Sequence, residues 1–121
     1  TYGSSTFMAV GQTGTILTSS DGTSWDNRTS GTTKNLKGVT HDGVGLFATV
    51  GESGTILTSP DGTTWTSRTS GTSSTLLGVT YGNSTFVAVG ASGTILTSPD
   101  GTTWTSRTSG TSNSLNGVTS R

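Results

Sequence analysis

Apolar residues fall along this chain in short clusters separated by runs of Ser, Thr, Gly and Asp, and the clusters recur in a fixed order. One round of the pattern reads Leu76-Leu77-Gly78-Val79-Thr80-Tyr81, then Phe86-Val87-Ala88-Val89, then Thr94 to Ser98, then Thr103 to Thr108. The breaks between them are Gly82-Asn83, Gly90-Ala91-Ser92-Gly93, Pro99-Asp100-Gly101 and Ser109 to Ser112. Segments of strand length, rich in β-branched and aromatic residues and bounded by Gly, Pro, Asn or Asp, predict strands. No stretch keeps a 3.6-residue period long enough for a helix. The fold class expected is all-β.

The second segment is apolar at every position instead of at alternate ones. Phe86 to Val89 and its counterpart Phe7-Met8-Ala9-Val10 therefore need cover on both faces, as does Ile95-Leu96. Without helices, that cover must come from other sheets. The round of four segments is written out repeatedly: Ser53 to Ser73 is repeated residue for residue by Ser92 to Ser112, and Thr13 to Thr33 is a more divergent copy. Trp25, Trp65 and Trp104 mark the period, spaced by 40 and then 39 positions. Four short strands per repeat of about 40 residues, stacked radially, predict β-propeller blades. Residues 1–121 read as a single repeat array. Its blades lie near 1–35, 36–75 and 76–114, and 115–121 is a closing strand for the first blade of a partner chain or of its own.

The turn between the third and fourth segments has its own chemistry. In Ser98-Pro99-Asp100-Gly101, Pro presets φ, Asp bonds the backbone two residues on, and Gly takes the positive φ. Asp21-Gly22 and Asp61-Gly62 stand at the matching positions. The tryptophans carry the largest apolar surface of each repeat and are expected to be the principal anchors of a thin core, so that Trp65→Ala costs roughly 3–5 kcal/mol. Ser59-Pro60-Asp61-Gly62-Thr63-Thr64-Trp65 resembles the Asp-box of sialidase-type (BNR) propeller repeats, with one residue fewer between Asp and Gly. The wider pattern of a GTILTS strand, a DG turn and a Trp is similar to the repeats of photosystem II assembly factors and of many secreted or surface propellers. The resemblance covers essentially the whole chain. It implies a propeller fold in which the Asp-box is a folding element of the turn.

Composition narrows the function classes. Hydrophobic residues are 26% of the chain, and Ser and Thr together make up 49 of its 121 residues. Low hydrophobicity gives disorder when net charge is high, but here the formal net charge is zero and charged residues are 10%. Six basic residues, spread out, offer no stripe for a phosphate backbone, so no nucleic-acid partner is expected. No apolar run exceeds five, so no membrane span is expected. With no Cys there is no disulfide framework or thiolate metal site. The chain opens at Thr1 without Met or a signal-type segment, which fits a mature product or a piece of something longer.

Candidate chemistry is sparse. Arg28, Arg68 and Arg107 recur three residues after each Trp, on the outer strand of each predicted blade, whereas a sialidase arginine cluster would sit near the axis. Glu52 is the only Glu, and Tyr2 and Tyr81 read as strand residues. His41, the only His, stands in the irregular loop His41-Asp42-Gly43-Val44-Gly45, and a hydrolase would have to be built on it. One acid per turn at Asp21, Asp61 and Asp100 falls short of the roughly six to eight oxygens that Ca²⁺ takes. No catalytic residue, metal or cofactor is expected. The loops beginning at Gly11, Gly51 and Gly90 vary at their second position, Gln12, Glu52 and Ala91, and are the candidate ligand loops. Asn27-Arg28-Thr29 and Asn83-Ser84-Thr85 match N-glycosylation sequons and point weakly to an extracellular or cell-surface setting.

The ends fit one another. Thr1-Tyr2-Gly3 matches Thr80-Tyr81-Gly82, so the first unit lacks its leading Leu-x-Gly-Val, which Leu115-Asn116-Gly117-Val118-Thr119 supplies at the other end. Propellers have about four to eight blades, so three are expected to need more. Two copies give six blades, each donating Leu115 to Thr119 to its partner's first blade; three copies or an open fibre are the other solutions. The expected function is a non-catalytic secreted or surface propeller with a structural or assembly role. The competing reading is a multivalent, lectin-like module binding a carbohydrate or protein.

Overall fold

The structure, a computed structural model, describes residues 1–120. Its strands follow one another as antiparallel meanders. Strands β1 (Tyr2–Gly3), β2 (Thr6–Val10), β3 (Ile16–Ser19) and β4 (Asp26–Arg28) form the first four-stranded sheet in that order. The second is β5 (Leu36–His41), β6 (Phe47–Gly51), β7 (Ile56–Ser59) and β8 (Thr66–Arg68). The third is β9 (Leu76–Gly82), β10 (Thr85–Gly90), β11 (Ile95–Ser98) and β12 (Thr105–Arg107). Among the described residues no helix is long and apolar enough to cross a membrane.

Each sheet is one blade, and the blades stack with their first strands side by side. A Cβ added to Gly38 of β5 would lie 3.3 Å from the Gly78 Cα of β9, an approach closer than most side chains tolerate. Both strands carry a bulge at the preceding position. Leu36 pairs with Gly51 and Gly38 with Val50, leaving Lys37 over; Leu76 pairs with Gly90 and Gly78 with Val89, leaving Leu77 over.

The cores lie between blades. Met8 and Ile16 of the first blade meet Leu36, Phe47 and Leu57 of the second, with Val10, Val39 and Trp65 at the margin. The same pattern one repeat on joins Val50 and Ile56 to Leu76, Ala88 and Leu96, with Val79 and Trp104 at the margin. Alternation along each strand explains why the second segment is apolar throughout. Phe47 and Thr49 face the preceding blade while Ala48 and Val50 face the following one, and all four are at most 1% exposed.

The tryptophans are not the centre of this core, which corrects the expectation from their size. Each precedes the last strand of its blade by one residue instead of lying within it. Trp25 is 41% exposed, and Trp65 and Trp104 are half-buried flanks of clusters whose fully buried members include Phe47, Ile16, Ile56, Leu76, Leu96 and Val50. Each indole Nε1–H donates to the carbonyl of its own turn glycine, at 3.2 Å for Gly22 and Gly62 and 2.9 Å for Gly101. Holding that bond keeps the ring beside its own turn.

Candidate functional site

The Asp turns are built from a serine at the end of the third strand. Ser59, fully buried, accepts the Gly62 N–H at 2.7 Å and donates its hydroxyl to Asp61 Oδ1 at 3.1 Å. Asp61 Oδ1 in turn accepts the N–H groups of Thr63 and Thr64 at 2.8 and 2.9 Å. Gly62 takes φ +80°, as a turn glycine here must. The same set recurs at Ser19-Asp21-Gly22 and Ser98-Asp100-Gly101. These donors hold the three Asp carboxyls below the ordinary value of 3.8. For Asp21 and Asp61 the N–H of the third residue on contributes most; for Asp100 it is the Thr102 N–H. Asp21, Asp61 and Asp100 are thus each engaged through Oδ1 in their own turns. Among the described residues no three His, Asp or Glu side chains gather where they would hold a metal ion.

The repeated arginines pair along their own sheets. Arg28, Arg68 and Arg107 donate Nε–H to Thr18, Thr58 and Thr97 of the adjacent strand, each at 2.9 Å. They stand on β4, β8 and β12, the strands farthest in each meander from the first-strand contacts. His41 Nε2 lies 3.1 Å from Ser4 Oγ, while Nδ1 accepts the Gly43 N–H at 2.9 Å. That bond leaves the ring proton on Nε2, which then donates to Ser4 and cannot take the hydroxyl proton as a base. Asp42 does not orient the imidazole either. Burial opposes its ionisation, but the N–H groups of Gly45, Leu46 and Val44 converge on Oδ1 and hold the carboxyl below its usual range.

The loops singled out by their variable residue are short 3-10 turns, Gln12–Gly14, Glu52–Gly54 and Ala91–Gly93, between the second and third strands. By the meander topology they share one end of the molecule with the connections between blades. The Asp turns and the His41 loop lie at the other end. Gln12 is exposed, while Glu52 and Ala91 are half-buried. Glu52 Oε1 accepts the Asn35 N–H at 3.0 Å, and Asn35 Oδ1 accepts the Thr13 N–H at 2.8 Å. Asn35 therefore ties the first blade's loop to the second blade. Sequence reading missed it, although Thr75 and Ser114 at its matching positions mark it as a variable site.

A groove adjoins the first of these loops. Ala9, Val10, Gly11, Gln12, Thr15 and Leu17 line an open groove of about 300 Å³ along β2. In the other blades this strip is filled by the start of the first strand, which pairs Leu36 with Gly51 and Leu76 with Gly90. In the first blade β1 pairs only with Thr6 and Phe7, and Thr1 adds a rung to Met8 at 2.8 and 2.9 Å. Among the described residues no strand is paired with Ala9 to Gly11 on that side, and the Gly11 carbonyl accepts the Leu36 N–H of the second blade. Leu115 to Ser120, meanwhile, belongs to no sheet but lies along the third blade as a first strand would. Its Leu115 N–H donates to the Gly90 carbonyl at 2.9 Å, as Leu36 N–H does to Gly11. A Cβ on Gly78 would come 3.4 Å from the Gly117 Cα, repeating the Gly38–Gly78 approach.

Two blade faces are also uncovered. Phe7 (39%) and Trp25 (41%) of the first blade are exposed where Phe47 is 1% exposed in the second. Ala9 is exposed and Leu17 half-buried beside them, whereas their equivalents Thr49 and Leu57 are buried. On the third blade Val87, Ile95 and Thr97 are half-buried, whereas their equivalents Ala48, Ile56 and Thr58 are buried. These two faces are the same pair that meets at both internal junctions.

No family model matches the chain, and no curated protein matches it. A solved structure, YCF48 bound to D1 peptide, is similar in fold with a TM-score of 0.69 at 22% sequence identity. The likeness covers 82% of this chain and 34% of that one, so the chain spans about a third of that protein's length. With three four-stranded antiparallel blades, the chain has the β-propeller fold.

Proposed function

We propose that this chain is a non-catalytic β-propeller scaffold, secreted or displayed at a cell surface, whose role is assembly with other protein chains. The 121-residue chain completes its ring with a second copy, giving six blades. Complementarity carries the reading. The face holding Phe7, Leu17 and Trp25 and the face holding Val87, Ile95 and Thr97 are uncovered, and each matches a face buried at the internal junctions. In the closed ring, Leu115 to Thr119 of one copy lies along β2 of the other, filling the groove beside Ala9 to Gly11. Exposed apolar side chains on a blade face and an open strand edge both favour association. Exposure of Asn27 and Asn83 in their sequons supports the external setting.

Native mass spectrometry tests the closure. The expected species has twice the 12.2 kDa chain mass. A species of chain mass at micromolar concentration overturns it, and a threefold mass replaces six blades by nine.

A protein or glycan ligand at the loop end is the second reading. It is favoured by Gln12, which belongs both to the variable loops and to the groove wall. YCF48 binds a peptide in its solved structure, which makes a peptide the better candidate here. A glycan array and a peptide array, each repeated with Q12A and E52A, separate the two ligand classes.

A further inference from the structure

We infer that Asn116 is a self-modification site whose reaction with the adjoining backbone ends strand donation; this rests on the ring closure proposed above. The chain has five asparagines, at 27, 35, 83, 113 and 116, and only Asn116 is followed by glycine. In such a pair the deprotonated Gly117 nitrogen attacks the Asn116 side-chain carbonyl carbon. A ring C–N bond forms, the bond to the amide nitrogen breaks, and ammonia leaves with a five-membered succinimide in place. Water then opens either carbonyl of that ring, giving aspartate or isoaspartate.

Both residues are exposed and belong to no strand. A Cβ on Gly117 would meet nothing within 4 Å, so the outer side of the backbone there is open even though its inner side faces Gly78. The matching pairs Lys37-Gly38 and Leu77-Gly78 lie inside β5 and β9, where neighbouring rungs fix the main chain. Donation puts Asn116 in that same bulge, between Leu115 opposite the partner's Gly11 and Gly117 opposite the partner's Val10. The ladder then holds Gly117 nitrogen away from the side chain. Isoaspartate lengthens the main chain by one carbon at the bulge. Because side chains alternate along a strand, the shift turns Val118 off its face. A copy left unassembled thus loses its donor strand for good, while an assembled copy keeps it.

The test holds the 121-residue chain at mildly alkaline pH at concentrations above and below ring formation, with a free peptide spanning Asn113 to Ser120 as reference. Peptide mapping follows the one-dalton gain and the isoaspartyl product at each asparagine. In the dissociated chain Asn116 is expected to react within about threefold of the free peptide, and in the ring at least about tenfold more slowly, since a paired strand must open first. The other four asparagines stay unchanged over that interval. Aged isoaspartyl chain recovers no ring, whereas N116D, with a normal main chain, and N116Q, which does not react on this timescale, both do. Equal rates in a ring confirmed by mass overturn the inference and leave the proposed assembly standing. Absence of any ring overturns the assembly and the protection together, while a peptide-like rate at Asn116 still upholds the modification site. An unreactive Asn116 in the open chain overturns that site.

Discussion

Ser59 shows how much of a blade can hang on one hydroxyl. It is fully buried, accepts the Gly62 N–H and donates to Asp61, so removing it strands a buried N–H and frees the carboxylate. Ser59→Ala is expected to cost about 1–3 kcal/mol in urea unfolding, with the m-value unchanged. The three turn carboxylates add a pH dependence. Their folded values lie below the ordinary 3.8, so their contribution is complete above that pH and is lost as pH falls through the depressed folded values. Acid titration of the urea midpoint should therefore fall below pH 3.8. It should fall less in D61N, which lacks one of the three titrating carboxylates. Asp and Gly of this turn are legible in sequence because turn chemistry is local. The serine is not, since it is one hydroxyl among 49 Ser and Thr residues until a fold aims it inward.

At the scale of the element, the hairpin of third and fourth strands is a unit closed by an indole lying beside its own turn. Trp65 is half-buried, so Trp65→Ala is expected to cost about 2–3 kcal/mol, below the range for a fully buried ring. Calorimetry on the variant measures it, and an unchanged melting temperature would remove Trp65 from the blade junction. Strand number, turn positions and the need for cover on both faces are readable from Phe47-Ala48-Thr49-Val50, because period-2 geometry ties each residue to a face. The depth of the tryptophans is not. Size sets how much surface a side chain could bury, but the bond from Nε1 to the turn carbonyl decides how much it does bury. Asn35 was equally invisible, since its Oδ1 reaches Thr13 across 22 positions of sequence.

For the whole molecule the two open faces are the deciding feature. Ile95 is half-buried on the third blade, and Ile56 at the matching place is fully buried. Ile95→Glu is expected to leave the blades folded, with the β-sheet circular dichroism retained, yet reduce the native mass to the 12.2 kDa chain, because a carboxylate at a closed junction has no partner there. A ring that survives this substitution would mean that the faces do not meet as they do at the internal junctions. The loops at Gln12, Glu52 and Ala91 occupy matching places at one end of successive blades, but Glu52 already accepts the Asn35 N–H. Their use as ligand loops therefore has to be tested with Gln12 first.

What the chain determined by itself is whatever repeats at short range. Four strands to a repeat, a glycine at φ near +80° in every Asp turn and no helical period all follow from neighbours within about ten residues. What only the tertiary structure decided is which surfaces meet. Glycines 40 residues apart come close enough to bring backbones into contact. Val10 and Val50 sit at matching places, yet one is half-buried beside a groove and the other is sealed. The physical reason is that burial belongs to a pair of faces, and a sequence specifies each face without stating what lies against it.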